Sequence, residues 1–382
     1  MNNAHANSVA LFDLDNVAVF KGPQATRFAE GVQSGALALT SNRARDESSG
    51  SLTLGVGEFN ARSVDAVVNR PVVEEKLFAR VAVTANERDG YVRNLADGSD
   101  LQGEGTVAAR ASLRWVPTEA TTADVIFNEQ RDDTPGVAYK SAVIPVAPLS
   151  TDTNPHTPAN LNRGSELGVE RTVFGVTGIV RHEVSDAWTL VSTSGWREVN
   201  GNHEFDADGS FLPLLDIGEA FDGRQFSQEF RVEYDAAERL DLALGVTVST
   251  VENTFWRFFT NTPPPFALNP DYTERYKNDA TLTTADVLGR ADYKLTERLT
   301  AGLGARLTRE RIVSGYQSFA APVAGTLPLP LLPTSGGGNN VFQVTPGRLE
   351  NSTQETAWSG EADLSFALTP RTSLYGLVSR GR

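Results

Sequence analysis

The sequence predicts an all-β protein, a large antiparallel sheet of the kind that closes into a transmembrane β-barrel. Three observations predict it. Apolar and polar residues alternate with period two in segment after segment, which gives a strand one apolar and one polar face. The connections between these segments are by turns short and long, the pattern of an outer-membrane barrel with tight turns on one rim and long loops on the other. No stretch approaches the roughly 18 consecutive apolar residues that a membrane helix needs.

In chain order, strands are expected near 50–58, 61–71, 75–86, 105–116, 120–130, 170–182, 187–197, 224–236, 239–252, 280–294, 298–309, 355–367 and 371–381. The run from Leu240 shows the pattern: Leu240, Leu242, Leu244, Val246 and Val248 alternate with Asp241, Ala243, Gly245, Thr247 and Ser249. Leu299, Ala301, Leu303, Ala305 and Leu307 alternate in the same way with Thr300, Gly302, Gly304, Arg306 and Thr308. Short turns fall near 72–74, 117–119, 183–186, 237–238, 295–297 and 368–370, with Pro117-Thr118, Ser185-Asp186 and Pro370 as turn formers. Long, irregular loops are expected at 87–104, 131–169, 198–223, 253–279 and 310–354; the first connection, near 59–60, is tight.

Charge follows the alternation. Glu229, Arg231 and Glu233 share one face of their strand, as do Arg110 with Arg114, Asp286, Arg290 and Asp292, and Glu361 with Asp363. Phe230 and Val232, Val287 and Tyr293, and Ala362, Leu364 and Phe366 lie opposite them. In a barrel the first set faces a polar lumen, so Glu229, Arg231, Glu233, Arg290 and Glu361 are the candidate lumen residues, and the second set faces lipid. Trp115, Trp188, Trp196, Tyr234, Trp256 and Trp358 fall near strand ends, as an interfacial girdle requires.

The composition sets outer limits. The 382 residues carry a formal charge of −14 and contain no cysteine. A general nucleic-acid binder needs a basic face, so this charge argues against that class; thiolate metal sites and cysteine nucleophiles are excluded by composition. The first residues have no basic and apolar stretches of a secretory signal. Other motifs are incomplete. His182-Glu183 and His203-Glu204 begin like a zinc-binding helix motif, but the residues four places after each histidine are Asp186 and Ala207. Asp206-Ala207-Asp208-Gly209 begins like a calcium loop, with its glycine misplaced and Ile217 where glutamate belongs; with Asp216, Glu219 and Asp222 it is expected to be a solvated acidic loop. Gly55-Val56-Gly57 and Gly302-Leu303-Gly304 lack the third glycine of a phosphate loop, and no Gly-x-Ser-x-Gly elbow occurs. Phe255, Trp256, Phe258 and Phe259 are expected in a loop, as girdle rather than ligand contacts, and Ser335 to Asn340 as a flexible loop tip. Neither an enzyme nor a resident cofactor is expected.

The first fifty residues carry a more specific signal. Leu11 to Ala44 holds a strand at Val17 to Phe20, the turn Lys21-Gly22-Pro23-Gln24, a glycine-bounded segment Gly31 to Gly35 and a second strand at Ala36 to Thr40. This stretch resembles the end of the plug domain of TonB-dependent outer-membrane receptors, departing from it at Arg27-Phe28-Ala29-Glu30. Lys76 to Arg80, Asn86 to Tyr91 and Phe226 to Arg231 are similar to barrel strands of the same family. On this resemblance the plug motif Lys21, Gly22, Pro23, Gln24 and Gly35 is structural, residues 1–48 are the C-terminal part of a plug, and residues 49–382 are a partial barrel.

The resemblance further implies a bacterial outer-membrane receptor that takes up a scarce nutrient, foremost a ferric siderophore, with energy from TonB. Outer-membrane lipid would surround the barrel. Full-length members have a complete plug and about 22 strands, so a piece of a longer protein with about 13 of them is expected. A passive porin-type channel and a secreted all-β binding protein are the alternatives.

Overall fold

The computed structural model describes residues 8–22, 26, 35–141, 154, 156–211, 215–237, 239–261, 272–319 and 344–381. Pro23, Gln24, Arg27 to Gly31 and Ser335 to Asn340, singled out above, lie outside the described residues.

Two short strands come first, β1 (Leu14–Lys21) and β2 (Gly35–Ser41), paired antiparallel into a separate hairpin. A 13-stranded antiparallel sheet follows, each strand hydrogen-bonded to the next in chain order. Its strands are β3 (Ser49–Val56), β4 (Arg62–Val73), β5 (Leu77–Arg88), β8 (Glu104–Thr118), β9 (Thr121–Pro135), β10 (Gly168–Ser185), β11 (Trp188–Asp206) and β12 (Asp216–Ala237). It continues with β13 (Leu240–Asn261), β14 (Tyr272–Lys294), β15 (Leu299–Phe319), β16 (Leu349–Thr369) and β17 (Thr372–Arg380). Between β5 and β8 stands a small hairpin of β6 (Val92–Arg93) and β7 (Asp100–Leu101). Among the described residues the sole helix is a single 3₁₀ turn, Gly164–Glu166.

All thirteen predicted strands are present and every expected short turn joins its two neighbours. The first connection closes as a tight turn because Phe59 and Asn60 both take positive φ, 54° and 55°, and Gly57 N donates to Ala61 O at 2.9 Å. Two left-handed central residues match the twist of the flanking strands.

The strand ends differ from expectation. The predicted loop at 198–223 shrinks to 207–215, since β11 and β12 pair without interruption from Trp188↔Tyr234 up to Asp206↔Asp216. Likewise β13, β14 and β15 run far into the stretches read as loops. Phe255, Trp256, Phe258 and Phe259 are therefore strand residues, and alternation divides them between the two faces. Phe255 packs with Val173, Val199 and Phe221 on one face; Trp256 stacks on Phe319. Along these upper ends one face is covered around Val199 and Phe221 while the other carries exposed polar residues such as Asn200 and Asn202, so the apolar signal of an open band fades.

Two rows of register partners show what the faces are. Phe230, Val246, Val287, Leu307 and Trp358 are consecutive partners across five strands, and each is about half exposed or more, up to 60% at Val287. One residue along, Glu229, Thr247, Asp286 and Thr308 form the next row, with Thr247 and Asp286 only 2% and 3% exposed. The polar face is thus the covered one and the apolar face the open one, the reverse of a water-soluble sheet. A monomer in water rarely exposes an apolar band of this extent. Trp188 and Trp196 stand on the apolar face eight residues apart, roughly 26 Å along the strand at 3.3 Å per residue; at the usual 35–45° tilt that is about 18–22 Å of height, most of an apolar band about 25 Å tall. One polar patch interrupts the band: Ser194 Oγ donates to Gln228 Oε1 at 2.5 Å and Gln228 Nε2 to Ser192 Oγ at 3.0 Å, so the three satisfy one another.

The long connections 89–103 and 136–167 are not irregular throughout. Val92, Leu101, Ala159, Leu161 and Leu167 meet in a small core of their own. Buried Asn94 ties it together, its side chain accepting from Leu161 N at 2.7 Å and donating to Leu161 O at 3.0 Å. We refer to this unit as the cap.

The acidic loop also departs from expectation. Asp206, Asp208, Asp216 and Glu219 are buried rather than solvated, Glu219 against Arg257; of the five, Asp222 stays exposed.

Candidate functional site

The β1–β2 hairpin rests on the polar face of the sheet, and the seam between them is ionic. Asp13, held at a positive φ of 48°, receives a two-pronged bond from Arg80 of β5, Nε at 2.9 Å and Nη2 at 2.5 Å. Asn42 Nδ2 donates to the same carboxylate at 2.9 Å. Arg110 of β8 donates to the carbonyls of Phe12 and Asp13 at 3.0 and 3.2 Å and lies over the Phe12 ring. After the hairpin, Arg43 reaches Asp124 of β9 at 2.7 Å, where Arg114 is already bound at 2.8 Å. Buried Asn69 of β4 then grips the linker, donating to the carbonyls of Arg45 and Glu47 and accepting from Arg45 N. A fork of guanidinium donors on a carboxylate is the strongest and most directional form of such a bond.

On the far side of the sheet Arg290 of β14 gathers Asp292 at 2.6 Å, Glu361 at 2.8 Å and Asp363 at 2.8 Å. Thr26 Oγ1, from the segment between β1 and β2, donates to Glu361 at 2.5 Å. Gly302 and Gly304, two members of a glycine pair read above only as an incomplete phosphate loop, form the floor of this cluster. A Cβ at Gly302 would lie 2.5 Å from Asp363 Oδ1 and 2.6 Å from Arg290 Nη2, and one at Gly304 would lie 2.8 Å from Thr26 Cγ2.

The sequence-derived residues distribute as follows. Arg290 and Glu361 are brought together on adjoining parts of one network. Glu233, Ala243 and Arg290 are successive register partners, so Glu229, Arg231 and Glu233 project to the same face as Arg290. Arg231 pairs with Glu229 at 2.9 Å and Glu233 with Arg181 at 2.9 Å, apart from the Arg290 cluster. Lys21 ends β1 and pairs with Gly35 in register. Gly22 has φ of 77° and Gly35 of 144°, and a Cβ at Gly35 would lie 2.4 Å from Phe20 O; only glycine fits that approach. Asp13, Arg80, Asp124 and Thr26 were not singled out from sequence, because nothing in local spacing joins residues 67 to 335 positions apart.

Between the hairpin and strands β8 to β12 lies a cavity of about 410 Å³, lined by Ala10, Phe12, Leu39, Arg110, Arg197 and Gln225 among others. Higher on the same face, Phe259 stacks on Tyr276 with ring centroids 5.9 Å apart, Tyr276 meets Tyr316 at 6.0 Å, and Arg257 Nη1 donates to Tyr276 OH at 3.4 Å. The rings offer flat apolar contact, while the Arg257 charge beside them is already paired with Glu219.

Comparison with known proteins gives a consistent result. A family model described as TonB dependent receptor-like, beta-barrel, matches residues 88–381. The ferrioxamine receptor of Yersinia enterocolitica is 28% identical over 130 residues, 34% of this chain and 17% of the receptor. Among solved structures, the ferric yersiniabactin uptake receptor FyuA from Yersinia pestis superposes with a TM-score of 0.77 at 17% identity, covering 97% of this chain and 52% of that one. The siderophore receptor PiuA from Acinetobacter baumannii gives 0.69 at 14% identity, with 96% and 54% covered. The chain thus spans about half the length of the solved receptors it matches.

Proposed function

Because this chain belongs to the TonB-dependent receptor-like β-barrel family of outer-membrane proteins, we propose that it supplies barrel wall and the end of a plug to a receptor that imports a ferric siderophore with energy from TonB. The family is one of transport receptors, and we read this chain as a transporter part without enzymatic activity. On this reading residues 1–48 are plug, residues 49–382 are barrel, and Glu229, Arg231, Glu233, Arg290 and Glu361 face the lumen.

The observation that carries the proposal is the ionic seam. A hairpin packed by apolar contacts would resist removal in proportion to the area it exposes to water. One held by ion pairs can exchange each pair for water as it moves. The contacts here are unequal in that respect. When Arg43 leaves, Asp124 keeps Arg114; when Thr26 leaves, Glu361 keeps Arg290. Separation of Asp13 from Arg80 divides a nearly buried pair in which neither side chain has a second ion-pair partner among the described residues to keep, so each has to be hydrated as the hairpin moves. Asp13–Arg80 is then the contact that a pull on the plug has to break, and the cavity beside Phe12 and Arg110 is the start of the opened path. The rings of Phe259, Tyr276 and Tyr316 suit flat apolar contact with a bulky complex arriving from outside.

The test is uptake of radioactive iron in a host that lacks its own siderophore receptors and expresses the complete receptor gene of which this chain is read as a part. Accumulation that requires both siderophore and TonB is expected. Uptake of unrelated small solutes in a TonB-deficient host would sink the proposal in favour of a passive channel.

A further inference from the structure

Where the cap meets the tip of the β11–β12 hairpin, three oxygens stand without a hydrogen-bond partner: Asp206 Oδ2, Asp216 Oδ1 and Asn162 Oδ1, each shielded from solvent. They belong together. Asp206 and Asp216 are register partners, and the Asn162 side chain is hydrogen-bonded to Asp216. The two aspartates are 1% and 4% exposed. Buried polar atoms are almost always satisfied, so three orphan acceptors at one place point to a missing donor or cation. The neighbouring groups have hydrogen-bond or ion-pair partners of their own: Asp206 Oδ1 accepts from Gly209 N at 2.7 Å, Asp208 takes Ser210 Oγ and Leu215 N, and Arg163, whose charge also acts on Asp216, pairs with Glu166 at 2.8 Å and Glu204 at 3.6 Å.

We propose that Asp206, Asp216 and Asn162 form a site for a hard divalent cation, calcium by the chemistry of its donors, which fastens the cap to the hairpin tip. All three donors are oxygens, two anionic and one an amide carbonyl, the set that suits calcium rather than zinc. Among the described residues no three carboxylate or imidazole side chains are placed to hold a metal by themselves, so the site we propose includes the amide oxygen. The local electrostatics agree. Burial, with the Asp208 charge next, pushes the Asp206 carboxyl up to about 7, and burial raises Asp216 also; a bound cation reverses that penalty. The site lies ten residues above Trp196, outside the apolar band.

Calorimetric titration of calcium into the chelator-stripped, detergent-solubilised protein tests this. One saturable site per chain is expected, roughly in the 10⁻⁴–10⁻³ M range typical of extracellular calcium modules. Asp206→Asn should weaken it about tenfold or more, since ligand charge sets affinity in such sites; Asp222→Asn, at an exposed position, should leave it unchanged. Asn162→Asp gives a second readout that does not depend on Asp206→Asn folding. With calcium it should bind more tightly than the parent, and with chelator its cap should be cut faster by protease. No heat of binding at millimolar calcium, or equal cap proteolysis with calcium and with chelator, would mean that the carboxyls share a proton and would overturn the site.

Discussion

The cap and the 13-stranded sheet are built by opposite rules. In the cap, Leu101, Ala159 and Leu161 are fully buried and the charged residues lie outside. In the sheet, Thr247 and Asp286 are covered while Phe230 and Val287 are more than half exposed. One chain therefore carries two solvent specifications. The cap is organised by water and keeps an ordinary apolar core. The sheet is organised by lipid on its open face and by hydrogen bonds and ion pairs on the other, where Arg306 and Asp286 form a buried pair at 2.6 Å. The two regions should consequently respond to different insults.

The largest effect is expected in the cap core. Leu161→Ala removes buried methyl groups from a cluster too small to collapse around the gap, at a cost of about 2–5 kcal/mol. Hydrogen exchange should show loss of protection at 92–101 and 156–167 with the sheet amides unchanged. If protection falls throughout the sheet as well, the cap is not a separate cooperative unit and the comparison fails.

A smaller but comparable effect is expected in the band. Val246→Arg places a charge where the apolar row meets lipid, at about 2–4 kcal/mol near the midplane of a bilayer. Val246→Leu at the same position should be nearly neutral. The yield of protease-resistant sheet in lipid vesicles measures both. Equal yields for the Arg and Leu variants would show that this face does not contact hydrocarbon.

The same contrast explains what could be read from the sequence. Thirteen strands and every short turn were legible because a lipid face and a polar face impress period two on residues such as Leu240 to Ser249. The upper strand ends were not. From Glu198 to Asp206 the open face turns polar, with Asn200 and Asn202 exposed, and the covered face continues from buried Val199 into Gly201 and His203, so no apolar alternation remains. The cap was missed for a different reason: its five core residues are scattered over 76 positions, from Val92 to Leu167, with no local period to join them. In the seam, Arg290 and Glu361 could be singled out by face, but Thr26 and Asp13 could not, because a tertiary pair leaves no trace in spacing. The acidic loop was read as solvated since sequence alone shows charge but not the Asn162 loop that covers it.

The finest test of the boundary between the regions is Asp97. It sits at the tip of the β6–β7 hairpin, where one carboxylate oxygen accepts from Asn94 Nδ2 at 2.8 Å, Ser99 N at 3.0 Å and Ser99 Oγ at 2.7 Å. The other accepts from Ser165 N at 2.8 Å, in the 3₁₀ turn 68 residues away. Partial burial, the largest single influence, pushes this carboxyl up, but the bonds from Ser99, Ser165 and Asn94 together outweigh it and hold Asp97 well below the usual carboxylate range. A carboxyl depressed in the folded state contributes stability that is fully present above its unfolded value, about 3.9, and is lost as pH falls through the folded value. The part of cap stability that Asp97 supplies should therefore persist at neutral and mildly acidic pH and be lost only in strong acid. The band has no such dependence on Asp97, since hydrocarbon contact does not titrate. Asp97→Ala should open the β6–β7 tip at neutral pH and flatten the acid response of cap proteolysis, leaving sheet protection where it was. An unchanged acid profile in that variant would show that another group governs cap closure.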